Sequence, residues 1–349
     1  MKAGYITKPR ALTIGDFPQP KVGPDEVLLR IATTGMCGSD IEVYNGIYPE
    51  MRYPVIMGHE TSGTIAQLGE NVKGEFEIGE RVTCEPSWGC GKCYFCRSSK
   101  YFYTTSNHCV DPRRLGRSAN GSYAEYTVVP AAVVYRLPKN VTYDQAQSTT
   151  TLSCVIHGFR KSNLVIDDTV AILGTGHAAL LAQQVAKAFG AGKVVVVGRN
   201  ENKLQLSKQL GSDVTIDTKK EDAIRRLMEL TDGIGPDLVI EATGVPEMFK
   251  IGMSAVKPAG RMMQFGIAAP PGKFELDAVR LMYKEIELIG TCSGRGCYPL
   301  SLRLISKGKV RIDPLITHRF NLLDLERGIE VMEKRIDNPT RVLINSEQK

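Results

Sequence analysis

From Thr169 onward the chain repeats one pattern, a short aliphatic run, a turn and a stretch of helical periodicity, and this repetition restricts the possible folds more than any other feature. Residues 169–173, 194–197, 213–217, 237–242, 260–265 and 287–290 read as strands, with helices at 178–189, 201–210, 222–230 and 246–256 between them. Strands so uniformly apolar are buried on both faces. Consecutive strands joined by helices run parallel, since a parallel pair needs a crossover of a dozen or more residues. The expected class is therefore α/β, with a doubly wound parallel sheet. Six strands are the number in a complete dinucleotide-binding sheet.

The preceding residues have a different texture. Short strands at 26–32, 61–67 and 123–129, separated by Pro and Gly, predict a β-rich domain. A helix near 299–306 and a strand at 341–344 have no place in the six-stranded sheet, so the chain end is expected to return to that first domain. The resulting division is 1–155 completed by 291–349, and 156–290; a chain of 349 residues is long enough for two cores. Apolar residues make up 42% and charged residues 23%, which excludes a broadly disordered chain. The net charge of +6 is scattered, so neither a nucleic-acid nor a membrane partner is expected. The first residues carry no leader-like apolar segment, and no apolar run approaches the roughly 20 residues of a membrane span. Nine Cys, three of them at Cys-x2-Cys-x2-Cys spacing, favour metal binding in a reducing compartment, the cytoplasm.

Residues 170–179 form a buried strand feeding Gly174-Thr175-Gly176-His177-Ala178-Ala179. Gly174 permits a tight turn, Gly176 lets backbone approach a pyrophosphate, and Ala179 allows close helix–strand packing, with His177 and Ala178 in the helix turn that receives the phosphates. The end of the second strand discriminates between dinucleotides, because an acid there bonds a ribose 2′-hydroxyl and an Arg accommodates a 2′-phosphate. Here it reads Gly198-Arg199-Asn200, with no acid before Glu201, which favours NADP over NAD. An Arg199 stacked on adenine or turned to solvent is the alternative.

Two further sets carry metal-type side chains. Cys90, Cys93 and Cys96 have the spacing of a structural thiolate site, with Cys109 as fourth ligand and His108 as fallback. Cys37, in Gly35-Met36-Cys37-Gly38-Ser39-Asp40, and the pair His59-Glu60 offer thiolate, imidazole and carboxylate, the donors of a catalytic Zn²⁺ site with one open position. Taken singly, Cys37 also reads as a small buried residue and His59 as a hydrogen-bonded core imidazole.

Together these motifs, with Tyr123-Ala124-Glu125-Tyr126, Glu241-Ala242-Thr243-Gly244 and Thr317-His318-Arg319-Phe320, resemble the zinc-dependent medium-chain dehydrogenases, the family of alcohol, polyol, sugar and threonine dehydrogenases. The resemblance covers nearly the whole chain. It implies a GroES-like catalytic domain built from both chain ends, a Rossmann domain in the middle, a cleft between them for cofactor and zinc, and two Zn²⁺ per chain. It also implies Cys37 and His59 as catalytic zinc ligands, Glu60 as ligand or switching carboxylate, and Ser39 as the proton-relaying hydroxyl. Thr243 and Gly266 are implied as further cofactor contacts, Arg295 as a substrate residue of the polyol and sugar branch, and a homodimer or homotetramer as the assembly. Two positions depart from the family. Thr150 stands where an acidic residue or Cys supplies a further ligand, so that Glu60 with water, or Cys154, completes the shell, and Glu42 replaces a relay His. The expected activity is NAD(P)-dependent interconversion of a polyol, sugar or secondary alcohol with its carbonyl. The rivals are a non-catalytic NADPH- and zinc-binding relative and a zinc-free quinone or enoyl reductase.

Overall fold

The computed structural model describes residues 1–48, 51–72, 74–98, 105–268 and 272–346. The chain forms two compact units. One contains Met1–Ser153, Arg295–Ser306 and Ile312–Lys349, the other Cys154–Gly294 and Lys307–Arg311.

In the second unit six strands form one sheet with the spatial order Val214–Asp217, Lys193–Gly198, Thr169–Leu173, Leu238–Glu241, Arg261–Gln264 and Glu287–Gly290. Every neighbouring pair is parallel. Residues 170–173 and 194–197 are fully buried, as strands covered by helices on both faces must be. Each buried aliphatic side chain contributes about 1.5–3 kcal/mol of apolar transfer energy. Local chemistry starts the helices. Asn200 caps Glu201–Gln209 by accepting from Lys203 N, Asp222 caps Ala223–Glu229 by accepting from Arg225 N, and Pro246 stands in the first turn of Pro246–Ala255. The helix after the first strand is His177–Ala188, one residue earlier than its periodicity predicts, because the extended Gly176 serves as its N-cap.

The first unit is built on a seven-stranded sheet. Its order is Val134–Arg136, Arg81–Cys84, Glu60–Leu68, Glu26–Met36, Arg341–Asn345 and Ile316–Asn321, with Tyr126–Pro130 also paired to Glu26–Met36. One face packs Val27, Leu29, Ile31, Ile65, Val82 and Val129. A second cluster includes Ile6, Met36, Met57, Val342 and Ile344. Two strands differ from expectation. The predicted 26–32 strand runs on to Met36, because Thr33, Thr34 and Gly35 pair with both the 60–68 and 341–345 strands. The predicted 123–129 strand begins only at Tyr126, since Tyr123 O accepts from Gly4 N and Ala124 bridges to Ala3. No helix among the described residues is long and apolar enough to cross a membrane.

Candidate active site

Strand register brings Cys37 and His59 together. Gly35 lies opposite Glu60 in an antiparallel pair, so Cys37, just past the end of one strand, and His59, just before the start of the other, emerge at the same edge. A Cβ at Gly35 would run into the Arg341 guanidinium and the Gln147 amide, so a side chain there would force both to shift. The donor atoms of Cys37, His59 and Glu60 all lie within 4.8 Å of one another.

The surrounding side chains orient these three. Asp40, 2% exposed, sits in the first turn of the Gly38–Tyr44 helix and accepts from Cys37 N and from Tyr123 Oη, each at 2.9 Å. Its other oxygen lies 3.0 Å from His59 Nδ1, which leaves Nε2 to face Glu60 Oε1 at 3.9 Å. Carboxylate-anchored imidazoles with the second nitrogen free are the usual arrangement of metal-ligating His. Burial opposes charge on Asp40, yet His59, Cys37 N and Tyr123 hold its carboxyl below the ordinary range. Burial would likewise raise the Cys37 thiol, but the His59 hydrogen bond and charge, with help from Ser39, bring it to about 7. His59 is raised to about 9 by Asp40 and Cys37 against its own burial. Ser39 is buried in the same helix turn, and Glu42, one turn on, is partly buried, which raises its carboxyl against the pull of Arg117.

Glu60 is 1% exposed. Its Oε1 accepts from Thr151 Oγ1 at 2.9 Å, and its Oε2 is ion-paired with the buried guanidinium of Arg341. Arg341 also donates from Nε to Gln147 Oε1 at 2.8 Å and from Nη1 to Met36 O at 3.2 Å, and burial lowers it to about 10. Thr150 is occupied elsewhere, since its Oγ1 accepts from Tyr298 Oη at 2.9 Å. Cys154 is half-buried four residues further along the same helix, Thr149–Ser162. Sequence reasoning missed Arg341, Gln147 and Tyr298, and gave no role to Tyr123 although it stands in the Tyr123-Ala124-Glu125-Tyr126 motif. Asp40 was visible as part of its motif without an assigned role.

In the Cys lobe Cys90, Cys93, Cys96 and Cys109 place all four sulfurs within 4.8 Å of one another. Cys93 Sγ is 3.5 Å from Cys96 Sγ and 3.9 Å from Cys109 Sγ, against an edge of about 3.8 Å for a tetrahedron with Zn–S bonds of about 2.3 Å. The backbone N–H groups of Cys90 and Asp111 point at Cys109 Sγ. Those of Val110 and Cys96 bring the Cys93 thiol down to about 6, while burial and neighbouring sulfurs push Cys96 up to about 12. The fallback His108 has its ring 5.5 Å from Phe95. Both donor sets fit Zn²⁺ by chemistry and spacing.

The nucleotide-type residues gather where the order of the parallel sheet reverses, between Thr169–Leu173 and Leu238–Glu241, the position at which open α/β sheets bind ligands. Gly174 has φ +124°, and a Cβ there would meet Thr243 Cγ2 at 2.8 Å, so the two turns abut. Gly176 faces open space at the start of the His177–Ala188 helix, with Ala178 half-buried and Ala179 buried behind it. Burial lowers His177 to about 3, so it is neutral at pH 7. The buried Glu241 accepts from the N–H groups of Thr243 and Gly244 and, through its carbonyl, from Gly266 N. Gly198 ends its strand and Arg199 is exposed beyond it, while Glu201, the first following acid, is ion-paired with Lys220. Arg295 is half-buried in the other unit, just ahead of the Tyr298–Ser306 helix.

Two family models match the chain, the alcohol dehydrogenase GroES-like domain over residues 23–139 and the zinc-binding dehydrogenase over residues 176–307. The chain is 34% identical over 336 residues to a D-arabitol-phosphate dehydrogenase of Enterococcus avium, covering 95% of this chain and 93% of that one. It is 36% identical over 342 residues to an L-threonine 3-dehydrogenase of Pyrococcus furiosus, covering 95% of each. Among solved structures it matches a zinc-binding dehydrogenase from Sinorhizobium meliloti 1021 bound to NADP, with a TM-score of 0.92, 26% identity and 99% of both chains covered.

Proposed function

This chain belongs to the zinc-dependent medium-chain dehydrogenase family, and from that premise we propose that it interconverts a polyol or related secondary alcohol with its carbonyl, by hydride transfer to NADP and with two Zn²⁺ per chain. It is an enzyme acting on CH–OH groups with NAD(P). The observation that carries the reading is the convergence of Cys37, His59 and Glu60 at one sheet edge, a thiolate, imidazole and carboxylate with no fourth His, Cys, Asp or Glu grouped with them among the described residues. A site with three protein donors keeps a position for substrate, whereas the four sulfurs of the Cys lobe leave none. A zinc-free reductase would have use for neither set.

Bound in the first set, Zn²⁺ supplies Lewis acidity that brings a substrate hydroxyl within reach of deprotonation, much as it lowers water from about 15.7 to about 7, and the nicotinamide supplies the hydride acceptor. The chain's own groups do the rest. Asp40 fixes the His59 ring so that only Nε2 serves as donor. Arg341 and Thr151 hold the Glu60 carboxylate in the buried site, where an unpaired charge would be costly. Ser39, buried in the turn beside Cys37, relays the substrate proton through its Oγ. Tyr298 keeps the Thr150 hydroxyl engaged, so the fourth position is left to substrate or water.

The preference for NADP is supported by the exposed Arg199 at the end of the second strand and by Glu201 being paired with Lys220. Homo-oligomer formation is supported by Val279, Met282, Tyr283 and Leu288, all exposed. A cytoplasmic location is supported by the demand of the Cys lobe for reduced thiols. The test is a screen of the zinc-loaded protein against pentitols, hexitols, their phosphates, simple secondary alcohols and L-threonine, with NADP⁺ and NAD⁺. Reduction of NADP⁺ by a polyol or its phosphate is expected. Turnover of L-threonine alone would move the substrate class to amino alcohols, and no turnover of any alcohol would defeat the reading.

A further inference from the structure

We propose that Glu85 is a positioning residue, anchoring the segment that carries Arg295 and Tyr298 and thereby setting the enzyme's preference for substrates with several hydroxyls. Glu85 follows the Arg81–Cys84 strand and is 3% exposed, with the buried apolar residues Val82, Cys84, Val133 and Val134 close to it along the two paired strands. An aliphatic side chain would suit such a place, and a carboxylate is tolerated there only if it is compensated. The compensation leads to a single segment. Tyr135 Oη donates to Glu85 Oε1 at 2.6 Å and Gly296 N donates to the same oxygen at 3.2 Å. The Arg295 charge offsets part of the burial that raises the Glu85 carboxyl.

From there the contacts run on toward the candidate site within the same unit. The Tyr135 ring stacks on that of Tyr298, with centroids 5.0 Å apart and planes 20° from parallel. Tyr298 donates to Thr150, and the adjacent Thr151 donates to Glu60. Arg295 stands between Gly294 and Gly296, the latter at φ +73°, so its own backbone gives little stiffness and an outside anchor must supply it. A guanidinium held this way offers a fixed fork of donors to a second or third substrate hydroxyl. A simple alcohol has no group to receive it.

The substrate part of this inference rests on the function proposed above, and the test separates the two. In the zinc-loaded full chain, Glu85→Gln keeps an acceptor for Tyr135 and Gly296 but removes the charge facing Arg295, whereas Glu85→Ala removes both. For Glu85→Ala the ratio of kcat/KM for a pentitol to that for 2-butanol is expected to fall about tenfold, through KM, the worth of one well-placed hydrogen bond, and to return toward the parent value in Glu85→Gln, which keeps the anchor. An unchanged ratio in Glu85→Ala, or a loss shared equally by both alcohols, would overturn the specificity role. Amide exchange read by mass spectrometry judges the anchor without turnover. The peptide containing residues 295–298 should exchange about tenfold faster in Glu85→Ala and near the parent rate in Glu85→Gln. Parent-like exchange in Glu85→Ala would overturn the anchor. If the parent oxidises neither alcohol, the proposed function and with it the specificity role fail, and the exchange result still decides whether Glu85 anchors the segment.

Discussion

His59 carries two chemically different nitrogens, and Asp40 decides which one is free. With Nδ1 held at 3.0 Å by a buried carboxylate, Nε2 is directed at the space shared with Cys37 and Glu60. Asp40→Asn keeps a polar group of the same size but loses the charge that raises His59. Zinc affinity at this site is expected to fall 10- to 100-fold, about the cost of losing an outer hydrogen-bond partner. Competition with a chromophoric chelator measures it, and the metal of the Cys lobe should be unaffected. Arg199 poses a separate question, because an exposed guanidinium contributes only when a phosphate is present to receive it. Arg199→Ala should lower kcat/KM for NADP⁺ by roughly 10- to 100-fold, the loss of one charge-assisted contact, with little change for NAD⁺. Parallel losses with both cofactors would show that Arg199 does not read the 2′-phosphate.

The Glu26–Met36 strand shows how an element delivers a side chain. Its polar end, Thr33-Thr34-Gly35, breaks the apolar pattern by which strands are recognised, yet it is buried and paired on both sides, so the chain reaches Cys37 in a defined direction. In the parallel sheet a comparable task falls to Asp237, just ahead of its strand. Its Oδ2 accepts from Thr169 N at 2.8 Å and its Oδ1 pairs with Lys257, which ties the starts of two strands. Burial opposes the charge, but Lys257 and Thr169 hold the carboxyl below its ordinary value. A depressed folded pKa stabilises above the unfolded value and is lost as pH falls through the folded one. Asp237→Asn should therefore cost about 0.5–1 kcal/mol at pH 7, the pair being partly exposed and screened. The difference from the parent should close below the aspartate range. Urea unfolding at several pH values measures both, and a difference that persists in acid would assign the effect to packing.

Across the whole chain, the two proposed zinc sites should differ in how they respond to chelation. Three protein donors with an open position release a cation more readily than four thiolates, whose loss would also untie the loop that they close. A titrated chelator is expected to remove one zinc per chain with complete loss of activity and almost no change in Tm. Removal of the second should lower Tm by several degrees, as for loss of a structural metal. Elemental analysis alongside calorimetry follows both steps. A fall in Tm with the first zinc would reverse the assignment of roles.

Much of this molecule is legible in the chain because its signals are local. The six-stranded sheet follows from short aliphatic runs alternating with helical periodicity, each segment carrying its own cap or turn residue. The Cys lobe shows in spacing, since Cys90, Cys93 and Cys96 fall within two turns of chain and their sulfurs meet without help from distant residues. Arg341, Gln147 and Tyr298 left no such trace. Each lies far along the chain from the group it touches, and a buried Arg in a C-terminal strand has no meaning until that strand pairs beside Glu26–Met36. Sequence alone determined the elements of the parallel sheet and which donor types are available. Only the tertiary structure decided that Glu60 is held by Arg341 and that Thr150 is engaged by Tyr298, because register and burial, which set those partners, are properties of strands already assembled.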